Sequence, residues 1–190
     1  MNFPRKPKAA LAVLLGLVLC WQTAAFCQEA RLTDIIVTNT RDDLLLYLKV
    51  EGAFREKMTT AIHSGIPTTF AFFVDLNRVR GFWPDKRIAS LRETHSITYD
   101  TLKKEYTIDR SWDNAGSVNT QSFVEAQRLM TEIDSLKIVP LQQLVKGSQY
   151  QIRTKAELSK LKLPFYLHHV LFFLSLWDFR TDWYTIDFIF

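Results

Sequence analysis

The residue types able to do chemistry are few and scattered. The chain has four histidines, His63, His95, His168 and His169, and only the last two are neighbours. Adjacent residues on a helix point about 100° apart, so His168 and His169 cannot clasp one metal ion as residues four apart do. No metal is expected. Asp85, His95 and Asp178 are the acid and base candidates for a hydrolase or transferase acting on an envelope component. His95 would serve as general base if folding brought it to a carboxylate in a cleft. No Ser/His/Asp order, Gly-rich phosphate loop, CxxC or HExxH motif is present. With 6 glycines in 190 residues, close backbone approach to a phosphate is also poorly served. No cofactor is expected, and enzymatic chemistry ranks second to binding.

One segment has a composition suited to recognition, Asn77 to Arg87, which reads NRVRGFWPDKR. Arg78, Arg80 and Arg87 suit an anionic or carboxylate-bearing ligand, and Phe82 and Trp83 are the kind of anchor that interfaces favour. The plainer reading is that the two aromatics cover one end of the core while the arginines pair with nearby acids. A second candidate is the apolar run from Leu163 to Trp177, LPFYLHHVLFFLSLW, in which only His168, His169 and Ser175 are polar. A helix with almost no wet face is either buried against a sheet or set into a membrane surface or partner groove. It is short for a transmembrane span. His168, His169 and Phe172 therefore join Arg78, Arg80, Phe82, Trp83 and Arg87 as candidate partner-binding residues.

The elements that must carry these residues alternate with a period of two, the signature of strands. From Thr68 to Leu76, Phe70, Phe72, Val74 and Leu76 share one face, and a second strand follows the basic-aromatic loop. After a tight turn comes a third, in which Leu102, Tyr106 and Ile108 are expected to share a face. Upstream, RLTDIIVTN (31–39) and DLLLYLKVE (43–51) read as a hairpin with Leu44, Leu46, Leu48 and Val50 inward. Between the hairpin and the Phe70 strand, Phe54, Met58 and Ile62 are four apart, which predicts a helix closed by Gly65 and Pro67. Residues 113–119 read as a loop. Ser122 and Glu125 have capping-box spacing ahead of a helical stripe of Phe123, Ala126, Met130 and Ile133, ended by Pro140. QYQIRTKAE (149–157) and the alternation of Tyr184, Ile186, Phe188 and Phe190 supply the last strands. The expected fold is α+β, an antiparallel sheet or sandwich of about seven strands with two to three packed helices, after an N-terminal signal peptide.

Arg5, Lys6 and Lys8, the apolar stretch Ala9 to Trp21 and the small residues up to Cys27 make the leader read as an export signal over residues 1–27. Cleavage is expected after Ala25 or Cys27, and retention as an inner-membrane anchor is the alternative. Residues 28–190 then form one domain in the periplasm. The leader holds three basic residues and no acid, so the formal charge of +4 falls to +1 without it. A near-neutral domain does not offer the concentrated basic surface that nucleic acid requires. Both cysteines, Cys20 and Cys27, lie within the leader, so no internal disulfide is expected.

Four stretches carry a resemblance: AIHSGIPTTF, FFVDLNRVRGFW, SITYDTLKKEYTI and LPFYLHHVLFFLSLWDFRTDWYTIDF. Together they are similar to the exported bacterial family called domain of unknown function 4390. The resemblance supplies no catalytic residue. Members of that family are often encoded beside membrane sensor kinases of two-component systems, which implies a place in envelope signalling. The expectation is a non-enzymatic binding or accessory domain with a membrane-bound partner such as a sensor kinase.

Overall fold

A computed structural model describes residues 30–113, 116–159 and 179–190. The leader and its cleavage point lie outside these residues, as does the run 163–177 with His168, His169 and Phe172. Two antiparallel sheets make up the fold, one of three strands in the order β1-β2-β7 and one of six in the order β6-β5-β4-β3-β8-β9. Nine strands are thus present among the described residues, against about seven expected.

The first hairpin forms as its alternation predicts, β1 over Arg31–Asn39 and β2 over Asp43–Glu51. Thr40 closes it, its hydroxyl accepting the N–H groups of Asp42 and Asp43. Leu44, Leu46, Leu48 and Val50 are buried. Helix α1 covers Glu56–His63 and buries Met58 and Ile62. It ends in a Schellman motif: Gly65 at φ +79° donates its N–H to the Ile62 carbonyl, and Ile66 donates to that of Ala61. Only glycine takes that conformation without strain.

Strand β3 (Thr68–Arg78) is the centre of the large sheet, paired with β4 (Lys86–Asp100) on one side and β8 (Gln149–Leu158) on the other. Phe70, Phe72, Val74 and Leu76 are fully buried on one face. On the other, Phe73 lies beneath Lys155 and Arg92, whose charged groups are 4.6 and 5.5 Å from its ring centre. That cover explains how an apolar residue occupies the outward side of the sheet.

The turn into β5 (Glu105–Arg110) corrects one expectation. Leu102 does not share a face with Tyr106 and Ile108; it sits on the crest of the turn, 93% exposed, while the other two are buried. Its N–H and that of Lys103 bind the Asp100 carboxylate, so local turn geometry, not strand alternation, directs the side chain. A short strand, β6 (Val118–Thr120), forms on β5 where a loop is expected.

Helix α2 (Phe123–Thr131) starts at Ser122, whose hydroxyl accepts the Glu125 N–H. The capping box does not close directly. Thr120 stands between the two, its hydroxyl donating to the Glu125 carboxylate and accepting the Ser122 N–H. The helix also ends earlier than its stripe suggests. Glu132–Pro140 is strand β7, paired with β2, and Ile133 is buried from that strand. Glu132 therefore pairs with Lys49 across the sheet and with Arg128 at the end of the helix.

Strand β9 (Tyr184–Ile189) closes along β8, as expected of a final strand. One hydrophobic core draws residues from both sheets and both helices, so the architecture is a sandwich. Among the described residues no helix is long and apolar enough to cross a membrane.

Candidate functional site

The β3–β4 hairpin carries the recognition segment to one end of the large sheet. Antiparallel pairing reaches Arg78 opposite Lys86, and residues 79–85 form the connection beyond it. Two hydrogen bonds fix its neck. The Val79 N–H donates to the Gln149 carbonyl at 2.9 Å, and the Arg80 N–H donates to the Asp85 carboxylate at 3.1 Å. Beyond the neck, Phe82 is 100% exposed and Trp83 is 74% exposed. The aromatic pair does not cover the end of the core.

The arginines do not follow the plainer reading either. Among the described residues, the seven side-chain ion pairs leave out Arg78, Arg80 and Arg87. Lys86 and Lys146 are exposed at the same end, the latter on the turn into β8. The only acid within residues 78–87 is Asp85, and its carboxylate is already held by the Arg80 N–H. A shallow hollow of about 600 Å³ runs beneath the aromatics, lined by residues 78–83 and 147–149. A hairpin tip that pairs two exposed aromatics with five cations and one engaged acid can bury apolar area against a partner while presenting guanidinium groups to anionic or carbonyl acceptors. Lys86 belongs to the quoted segment but gains its place only through the strand register. Lys146 has no local signal, since only the pairing of β3 with β8 brings it near.

The residues considered for catalysis are not brought together. His95 is fully buried on β4. One ring nitrogen, Nδ1, lies 3.0 Å from the Met130 carbonyl oxygen, and the other, Nε2, accepts the Trp112 indole N–H at 2.8 Å. A carbonyl can only accept and an indole N–H can only donate, so the ring is the neutral Nδ1–H tautomer. Burial, reinforced by the nearby Arg110, lowers its pKa to about 4 even though the bond to Met130 opposes the shift. The side chain is a core polar link, its ring tilted 50° against that of Phe72 with centres 4.6 Å apart. Asp85 is nine or more strand positions away, about 30 Å along β4. Asp178 lies outside the described residues. No group of three or more His, Cys, Asp or Glu side chains able to hold a metal occurs among the described residues.

The family model described as Domain of unknown function (DUF4390) matches residues 27–187. No curated protein and no solved structure matches the chain.

Proposed function

Since the chain belongs to the DUF4390 family, we propose for it an exported, non-enzymatic binding or accessory role at the cell envelope, with the β3–β4 hairpin tip as its contact element. The observation that carries this reading is the full exposure of Phe82, and the near-full exposure of Trp83, among cations that have no ion-pair partner in the described structure. Solvent-facing aromatics on a tip secured at its neck are available to a partner at little ordering cost. Full burial of each ring in an interface contributes about 2 to 3 kcal/mol before the costs of association. Arg78, Arg80 and Arg87 add orientation. The partner we favour is a membrane-bound protein such as a sensor kinase, met in the periplasm. His168, His169 and Phe172, in the apolar run 163–177, are proposed as a second contact, with that partner or with the membrane surface.

The leader pattern supports export, with retention as an inner-membrane tether as the variant of the same idea. Replacing Trp83→Ala separates binding from folding. Thermal unfolding should move by less than about 0.5 kcal/mol, the usual range for an exposed side chain with no special role. Crosslinking of the intact protein in its own cells should lose its main adduct. A large fall in melting temperature with adducts retained would return Trp83 to a structural role.

A further inference from the structure

The two sheets leave one pair of edges facing each other. Strand β1 pairs only with β2 and β9 only with β8, so each has a backbone edge without a strand partner among the described residues. Hollows lie between them at both ends. One of about 370 Å³ joins residues 30–32 to residues 181–184, and one of about 410 Å³ joins residues 35–39 to Ile186 and residues 188–190. The starts of the two strands are therefore adjacent, and so are their ends: β1 and β9 run the same way. Every hydrogen-bonded neighbour elsewhere in both sheets is antiparallel. A single strand set between β1 and β9, opposed in direction to both, would continue that alternation and join the sheets.

The chemistry of the gap selects its occupant. The larger hollow is lined by Ile35, Ile36, Val37, Ile186, Phe188 and Ile189 among others, with no charged side chain in its lining. Ile36 is 57% exposed and Ile189 76% exposed, so apolar side chains stand in water on both walls. The complement is an uncharged segment that is apolar at alternate positions. Unpaired strand edges further require a ligand with backbone N–H and C=O groups, which an acyl chain lacks. Strand β1 has a register shift between Thr33 and Ile36, with Asp34 at φ +51°. The irregularity separates the two hollows and places the fit on residues 36–39. We propose that the gap between β1 and β9 receives an extended, alternately apolar segment of a partner polypeptide by strand addition, a site separate from the hairpin tip.

The test uses the full chain and a fluorescent synthetic peptide of about eight residues, alternating Val and Thr between terminal lysines. A control peptide carries proline at the central valines, which removes backbone donors and leaves the remaining chemistry similar. The expected result is saturable binding of the first peptide, at least tenfold weaker for Ile36→Arg and for Ile189→Arg, and absent for the proline peptide. Amide hydrogen exchange should slow in β1 and β9 together. Both substituted side chains are exposed, so the variants should fold, and unchanged melting temperatures would establish it. Several results would overturn the proposal: no saturable binding, equal binding of the proline peptide, or protection of β6 and β7 instead. Concentration-dependent self-association protecting the same two strands without peptide would assign the gap to a second copy. A fatty acid bound there without amide protection would assign it to lipid.

Discussion

At the scale of single residues, His95 shows how a side chain with catalytic chemistry becomes structure. Its two nitrogens satisfy a helix carbonyl and an indole N–H inside the sandwich, and protonation would destroy the acceptor that Trp112 needs. The sign of the pH effect follows. With a folded pKa of about 4 against an ordinary 6.5, the unfolded chain takes up the proton first. His95 therefore contributes stability fully above pH 6.5, and the contribution falls as pH drops toward 4, by about 3 kcal/mol at 1.36 kcal/mol per pKa unit. Urea unfolding at pH 7 and pH 4.5 measures this. His95→Ala should cost about 2 to 4 kcal/mol at pH 7 by stranding the Met130 carbonyl and the Trp112 N–H, and should flatten the pH dependence between those values. A variant that keeps the full slope would place the titration elsewhere. Nothing in the sequence around His95 distinguishes it from a general base, because its partners are 17 and 35 residues away.

At the scale of elements, local rules were legible wherever one periodicity ran unbroken. β2 and β8 keep their alternation, and α1 closes at Gly65 as the Gly and Pro pair predicts. The miss at β7 has a definite cause. Phe123, Ala126, Met130 and Ile133 hold helical spacing across the real boundary at Thr131, and Ser135 at φ +61° breaks the alternation that would have marked the strand. Pairing with β2, a contact between residues some 90 apart in register, decides the outcome. Backbone handedness gives a matched pair of predictions. Gly65→Ala should lower stability by about 1 kcal/mol, because alanine is strained at φ +79° although its Cβ would meet nothing closer than the Tyr99 carbonyl at 3.6 Å. Lys104→Gly, at φ +55° in the β4–β5 turn, should raise it by up to about 1 kcal/mol. Differential scanning calorimetry of the two variants reads both signs. Shifts in the same direction would contradict the assignment of left-handed strain.

At the scale of the whole molecule, the α+β sandwich was readable from patterning, but its edges were not. Which strands face each other across β1 and β9, and which turn joins the hairpin tip, depend on pairings between distant segments such as Arg78 with Tyr150. The sequence marked Arg78, Arg80, Phe82, Trp83 and Arg87 as a group, whereas the exposure of all but the half-buried Arg78, and the absence of the three arginines from the ion pairs of the described residues, required the fold. The same fold puts Leu102, an exposed apolar residue, on the β4–β5 turn at the other end of the large sheet. That opposition supplies an internal control. Photo-crosslinking amino acids placed singly at positions 82, 83 and 146, and at positions 102 and 124, would map which end of the protein meets its partner in cells. A common adduct is expected from the first three, lost when Arg80→Glu is added, and none from 102 or 124. Adducts confined to 102 and 124, or unaffected by the charge reversal at Arg80, would remove the hairpin tip as the contact element.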